Sequence, residues 1–140
     1  PMFYIRGAGG IYSTVDDLLR WQNALTGGRI LSSREWRMAT TAVPLSDGSA
    51  APYGYGFALR QTPEGLAKVG HNGHFRGFKS ELAYFPASQV AVIQLTNNAQ
   101  DDRMDANARA LFQISQGMTP PPVRPTIGKA LYQRVTAGCE

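Results

Sequence analysis

A chain of 140 residues, 43% hydrophobic and 17% charged, suits one domain with a modest core or a piece of a larger one. It has no run of about twenty apolar residues to cross a membrane, and Pro1-Met2-Phe3-Tyr4-Ile5-Arg6 lacks a signal-peptide pattern, so a natural N-terminus is expected upstream. The net charge of +4 comes from scattered basic residues with no like-charge run, which argues against nucleic acid as a partner, and the single cysteine, Cys139, precludes an internal disulfide.

In chain order, Gly7-Ala8-Gly9-Gly10 is permissive backbone before a helix start. Either Ser13 with Asp16 or Thr14 with Asp17 supplies an N-cap hydroxyl and a first-turn carboxylate. Val15, Leu18, Leu19 and Leu25 then recur near helical spacing until Gly27-Gly28. Ser32-Ser33-Arg34-Glu35 reads as a capping box for a short helix through Trp36 and Met38. Residues 44–52 read as loop.

Strands are predicted next, over 53–60, 66–71, 78–85 and 90–96. Short turns between them predict antiparallel pairing. The run Val90-Ala91-Val92-Ile93-Gln94-Leu95-Thr96 is apolar enough to predict a central position in its sheet. A helix is predicted over 101–115. Pro120-Pro121-Pro122 opens a stiff spacer over 120–125, and 126–140 reads as a terminal helical segment centred on 126–137. The fold class is therefore α+β, an antiparallel sheet packed with helices, with residues 1–119 as its main unit.

The chemically suggestive stretch is His71-Asn72-Gly73-His74. Residues two apart on a strand face the same side, so His71 and Gly73 point into one cleft. A glycine there is either a bulge or a place where a ligand approaches the backbone closely. The backbone N–H of His74 could then donate to a developing oxyanion. The plain alternative for His71 is a strand histidine hydrogen-bonded at a sheet edge. His71 and His74 face opposite sides and Cys139 is distant, so no metal site is expected. Ser80 could touch substrate or be merely half-exposed, and Tyr12, Tyr53 and Tyr55 read as core or cleft-lining aromatics.

Several segments together resemble the serine β-lactamase/penicillin-binding-protein-like superfamily, in its class C β-lactamase, esterase and D-aminopeptidase branch. That family carries Lys-Thr-Gly or His-x-Gly on a strand, and His71-Asn72-Gly73 is similar to the second form. Gly77-Phe78, Ser80, Phe85-Pro86 and Leu95-Thr96-Asn97 resemble the family's stretches downstream of that strand. Gly9-Gly10-Ile11-Tyr12-Ser13-Thr14, Asp17-Leu18 and Tyr53-Gly54-Tyr55-Gly56-Phe57 resemble upstream stretches, and the likeness covers about residues 7–115.

The resemblance implies the C-terminal part of a β-lactamase/transpeptidase-like fold and acyl-serine chemistry on an amide, ester or lactam. It implies catalytic roles for His71, Gly73 and the His74 N–H, and substrate contacts for Asn72, Ser80 and Tyr53. It implies no metal or organic cofactor, a small-molecule or peptide-like acyl substrate, and an exported or periplasmic setting. The family's Ser-x-x-Lys and Tyr-x-Asn or Ser-x-Asn motifs are missing: no serine here has Lys three residues on, and no serine or tyrosine has Asn two residues on. The chain is thus expected to be a truncated unit, inactive alone, whose uncovered sheet favours a dimer or a swapped terminal helix. A non-catalytic binding or regulatory module is the competing expectation.

Overall fold

The computed structural model describes residues 7–120. Thr14 is the residue that caps the first helix, α1 (Val15–Thr26): its Oγ1 accepts the Asp17 N–H at 3.1 Å. The inward stripe of α1 is Leu18, Gln22 and Leu25, whereas Val15 and Leu19 stay 44% and 40% exposed. A second helix, α2 (Ser33–Ala39), starts from a complete capping box, with the Glu35 carboxylate accepting the Ser32 N–H at 2.7 Å. Those hydrogen bonds from Ser32, side chain first and backbone second, hold the Glu35 carboxyl below the usual carboxylate range.

Residues 44–52 are not all loop. Two short strands, β1 (Val43–Pro44) and β2 (Ala50–Ala51), pair across a turn in which Asp47 Oδ1 accepts the Ser49 N–H at 2.9 Å. The strand expected over 53–60 forms only as β3 (Ala58–Gln61). Residues 53–57 fold instead into a turn, with the Gly54 N–H donating to the Phe57 carbonyl at 2.8 Å and Gly56 at φ +82°. Gly54 is required there because a Cβ would sit 2.0 Å from the Ala39 carbonyl oxygen.

The remaining strands are β4 (Ala67–Phe75), β5 (Phe78–Phe85) and β6 (Val90–Thr96), and helix α3 (Met104–Ser115) comes after them. The sheet is a four-stranded antiparallel meander in the order β3-β4-β5-β6. β4 runs four residues past the predicted end at residue 71, because the two-residue Arg76-Gly77 turn, at φ +40° and +94°, closes the hairpin tightly. β6 stands at the sheet's edge among the described residues, not at its centre. Its apolar character reflects cover on its faces: Val92 is buried against α3. α3 begins at Met104, not at 101, because the Asp101 carboxylate accepts the backbone N–H and the Nε–H of Arg103, both at 3.0 Å, and so holds the chain in a turn. The terminal segment 126–140 and all but the first residue of the 120–125 spacer lie outside the described residues.

Two apolar clusters sandwich the sheet. One face carries Ala83, Phe85 and Val92 against Ala108 and Phe112 of α3, with the Phe85 and Phe112 rings stacked 4.0 Å apart. The other carries Val69 against Leu25, Ala39 and Phe57, with Trp36 edge-on to both Phe57 and Tyr84. The architecture is α+β, with α1 and α2 on one face of an antiparallel sheet and α3 on the other.

Candidate active site

The β3–β4 ladder stops at the Ala58↔Gly70 pair, so residues 71–75 of β4 have no partner strand on that side among the described residues. Backbone parity fixes what this open edge presents. The Leu59 N–H turns away from β4 to donate to the Pro52 carbonyl at 2.9 Å, so Ala58 and Arg60, with their partners Gly70 and Lys68, make the cross-strand bonds. Continuing that alternation along β4, the N–H and C=O groups of Asn72 and His74 face the open edge.

Side-chain parity fixes the other half of the geometry. The β4–β5 register pairs His71 with Leu82, Gly73 with Ser80 and His74 with Lys79. His71, Gly73 and Ser80 therefore share the sheet face that α1 and α2 cover further along, at the end where those helices leave it open. His71 is exposed, and its ring meets the Tyr53 ring edge to face, with centroids 5.6 Å apart and planes at 89°. Its Nδ1 lies 2.6 Å from the Asn72 carbonyl oxygen. A carbonyl only accepts, so Nδ1 carries the proton and Nε2 is left to accept in the neutral ring.

Gly73 lies in unbroken register and is no bulge. A Cβ on it would fall 2.5 Å from the Ser80 Oγ, so the hydroxyl occupies the space a side chain would take. Among the described residues, Ser80 Oγ has no hydrogen bond to a base that would activate it. The structure thus brings together His71, Gly73, Ser80 and Tyr53, with the His74 N–H on the adjoining edge. The side chains of Asn72 and His74 point to the α3 face; what Asn72 gives this group is its backbone carbonyl.

Electrostatically the two faces differ. No strand residue on the His71 face is Asp or Glu, whereas the α3 face holds the buried Lys68–Glu81 pair at 3.2 Å, and Asp105 of α3 also reaches the Lys68 ammonium. Sequence reasoning passed over Lys68 and Glu81, although Lys68 alternates in phase with the inward-facing Gly70 and Ala58. At the hairpin end the Arg76 guanidinium lies 5.5 Å from the Phe75 ring centroid. Among the described residues no three His, Cys, Asp or Glu side chains gather as metal ligands, and no helix is long and apolar enough to cross a membrane.

The beta-lactamase family model matches this chain over residues 1–116. The chain belongs to the beta-lactamase family. It is similar to penicillin-binding protein 4* of Bacillus subtilis (strain 168), 29% identical over 97 residues that make up 69% of this chain and 22% of that protein. It is also similar to the D-aminopeptidase of Brucella ovis, 26% identical over 127 residues, 89% of this chain and 23% of that enzyme, and equally to the D-aminopeptidase of Brucella canis. The chain spans less than a quarter of the length of these curated relatives. By these likenesses it is a beta-lactamase-related, penicillin-binding-protein-like chain.

Proposed function

We propose that this beta-lactamase family chain supplies one wall of an acyl-transfer site, and that the nucleophilic serine, absent from these 140 residues as a Ser-x-x-Lys motif, comes from other sequence of a longer parent polypeptide. In the proposed reaction the serine oxygen attacks an amide, ester or lactam carbonyl. The carbonyl π electrons move onto oxygen, and the His74 N–H on the open edge of β4 donates to that oxyanion. The serine gives up its hydroxyl proton as it attacks. The tetrahedral adduct then collapses with cleavage of the bond from the carbonyl carbon to the leaving group, which departs with that proton. Water later hydrolyses the acyl-serine ester, returning a proton to the serine oxygen.

His71 serves this reaction through Nε2. With Nδ1–H bound to the Asn72 carbonyl, the ring is oriented, and Nε2 can take up or return a proton at the substrate. Tyr53 props the ring edge-on, and Ser80 offers a hydroxyl beside Gly73 to a substrate polar group. The single observation that carries the reading is the juxtaposition of His71 and Gly73 on one face with the His74 N–H on the adjoining free edge. Histidine in place of the family's lysine favours esterase or peptidase substrates over lactams, an argument by family analogy. By the same analogy the proposed compartment is outside the cytoplasm, which cell fractionation checks.

A second reading has one observation in its favour: the sequence lacks both family motifs that would complete the machinery. It makes the chain a binding or regulatory module that kept the fold. The coding sequence immediately upstream of Pro1 separates the two. A Ser-x-x-Lys on a helical pattern, with Tyr-x-Asn after it, supports the enzyme, and labelling of that serine by a fluorophosphonate would show that it is an activated nucleophile. A stop codon or an unrelated domain there refutes it.

A further inference from the structure

The His71 imidazole is oriented by two contacts of different origin. One is the Asn72 carbonyl, which belongs to the next residue of β4 and moves with that strand. The other is the Tyr53 ring, brought from a separate segment and set edge-on to the imidazole, with centroids 5.6 Å apart and planes at 89°. Backbone contacts hold Tyr53 from several directions. Its carbonyl accepts the Val43 N–H of β1 at 3.2 Å, and the carbonyl before it, that of Pro52, accepts the Leu59 N–H of β3 at 2.9 Å. After it, Gly54 passes so close to α2 that a Cβ would fall 2.0 Å from the Ala39 carbonyl oxygen. The strand that grips the Tyr53 carbonyl is itself closed into the β1–β2 hairpin. Val43 pairs with Ala51, the Leu45 N–H donates to the Ser49 carbonyl at 2.8 Å, and Asp47 Oδ1 accepts both the N–H and the hydroxyl of Ser49.

We propose that the β1–β2 hairpin is the positioning device for His71: it fixes Tyr53 through the Val43 N–H, and the Tyr53 ring holds the imidazole where its Nδ1–H meets the Asn72 carbonyl. Tyr53 is then a positioning residue that acts through His71, beyond any contact of its own with substrate. The argument concerns freedom of rotation. A histidine turns about both of its side-chain bonds, and the outer one is soft. An edge-to-face ring pair favours one arrangement by about two- to tenfold in population. That selection works only where the tyrosine cannot follow the histidine as it turns, and the bonds to Tyr53 and its neighbours prevent this. The contact is between rings, so the phenol hydroxyl is dispensable to it. The consequence for acyl transfer, an Nε2 presented in a fixed direction, rests on the reading of the site given above. The positioning itself does not.

Nitrogen NMR of the 140-residue chain at about pH 9, where imidazole is neutral, reads the tautomer of each histidine and tests the proposal. In the unaltered chain His71 should carry its proton mainly on Nδ1. Tyr53→Phe keeps the ring and should leave that ratio unchanged, whereas Tyr53→Leu should lower the ratio of Nδ1–H to Nε2–H by about two- to tenfold. Val43→Pro removes the N–H that the Tyr53 carbonyl accepts, at a position Pro44 already restricts to extended backbone, and should lower the ratio in the same direction. If that variant does not fold, Gly48→Val strains the exposed hairpin tip, where φ is +83°, and takes its place. His74 points to the opposite face of the sheet and is the internal control, its own ratio expected to stay constant throughout. An unaltered His71 protonated mainly on Nε2 would overturn the proposal. So would a ratio that moves with Tyr53→Phe or ignores Tyr53→Leu, or hairpin variants that fold and leave it untouched. A parallel change at His74 would overturn it too, because that is general loosening of β4. The readout needs no nucleophile, so failure here leaves the acyl-transfer reading standing, and failure of that reading leaves this one standing.

Discussion

His71 donates its Nδ1–H to the carbonyl of its own neighbour, Asn72, across 2.6 Å, and so leaves Nε2 to accept in the neutral ring. The bond survives protonation of the ring, because Nδ1 is a donor in both charge states. Ring orientation is therefore held in either charge state. In the proposed longer polypeptide, His71→Ala should lower kcat/KM by about 10²–10⁴, the range for losing a positioned proton-transfer group. The exposed position predicts a nearly unchanged melting temperature. Steady-state kinetics beside a thermal melt read both, and near-normal turnover in a folded variant contradicts the assignment.

Gly73 and Ser80 compete for one volume. Gly73→Ala places a methyl where the Ser80 Oγ now sits, and holding the hydroxyl aside, about 30° off its staggered position, would cost about 0.5–1.5 kcal/mol. Adding Ser80→Ala should restore the lost stability, a coupling that a double-mutant cycle in urea reads directly. Gly73→Val, with two further carbons on the cleft face, should abolish acylation in the parent. Additive effects of the two alanine changes would show that the pair does not share space.

The buried Lys68–Glu81 pair ties β4 to β5 under α3. Lys68→Met alone strands a buried carboxylate and should cost about 3–5 kcal/mol, whereas Lys68→Met with Glu81→Leu should be near neutral or stabilising. Asp105 also contacts the Lys68 ammonium, but its side chain is 72% exposed and its pairing is screened by water. Asp105→Asn should therefore cost under about 1 kcal/mol. Chemical denaturation of the three proteins tests the ranking, and a double variant as unstable as the single one would contradict it.

Acid should loosen the start of α3. The Asp101 carboxyl is held below the usual carboxylate range, first by the Arg103 side chain and then by the Arg103 backbone N–H. A carboxylate whose folded value lies below its unfolded one contributes stability at pH above the unfolded value, about 3.9, and loses it as pH falls through the folded one. The stability difference between the natural chain and Asp101→Asn should thus be full at neutral pH and shrink below about pH 4. A difference that stays constant from pH 7 to pH 2.5 would contradict the sign.

Much of the fold was legible because its signals are local. The Ser32–Glu35 capping box, the Gly27-Gly28 stop after α1 and the limits of β5 and β6 depend on neighbours in sequence. What the sequence hid was set by distant partners. Tyr53 reads as strand until Ala39, fourteen residues earlier, takes the Tyr55 N–H at 2.9 Å and bends the segment into a turn. Val15 and Leu19 share the apolar spacing of Leu18 and Leu25, yet the side of α1 turned inward runs through Leu18, Gln22 and Leu25. At the site, period-two alternation alone placed His71 with Gly73 and against His74. It could not supply the Tyr53 ring at His71, the Ser80 hydroxyl at Gly73, or the end of the β3 ladder that frees the edge.

The open edge of β4 as an oxyanion-binding wall is the central claim, and one measurement reaches it most directly. The proposed longer polypeptide is labelled at its proposed nucleophilic serine with a fluorophosphonate and its crystal structure determined. The adduct's phosphoryl oxygen should lie about 2.7–3.1 Å from the His74 backbone nitrogen, the separation expected of an oxyanion donor, with the His71 ring on the same side of the adduct. A phosphoryl oxygen held by other donors, with the His74 N–H facing solvent or another strand, would contradict the account.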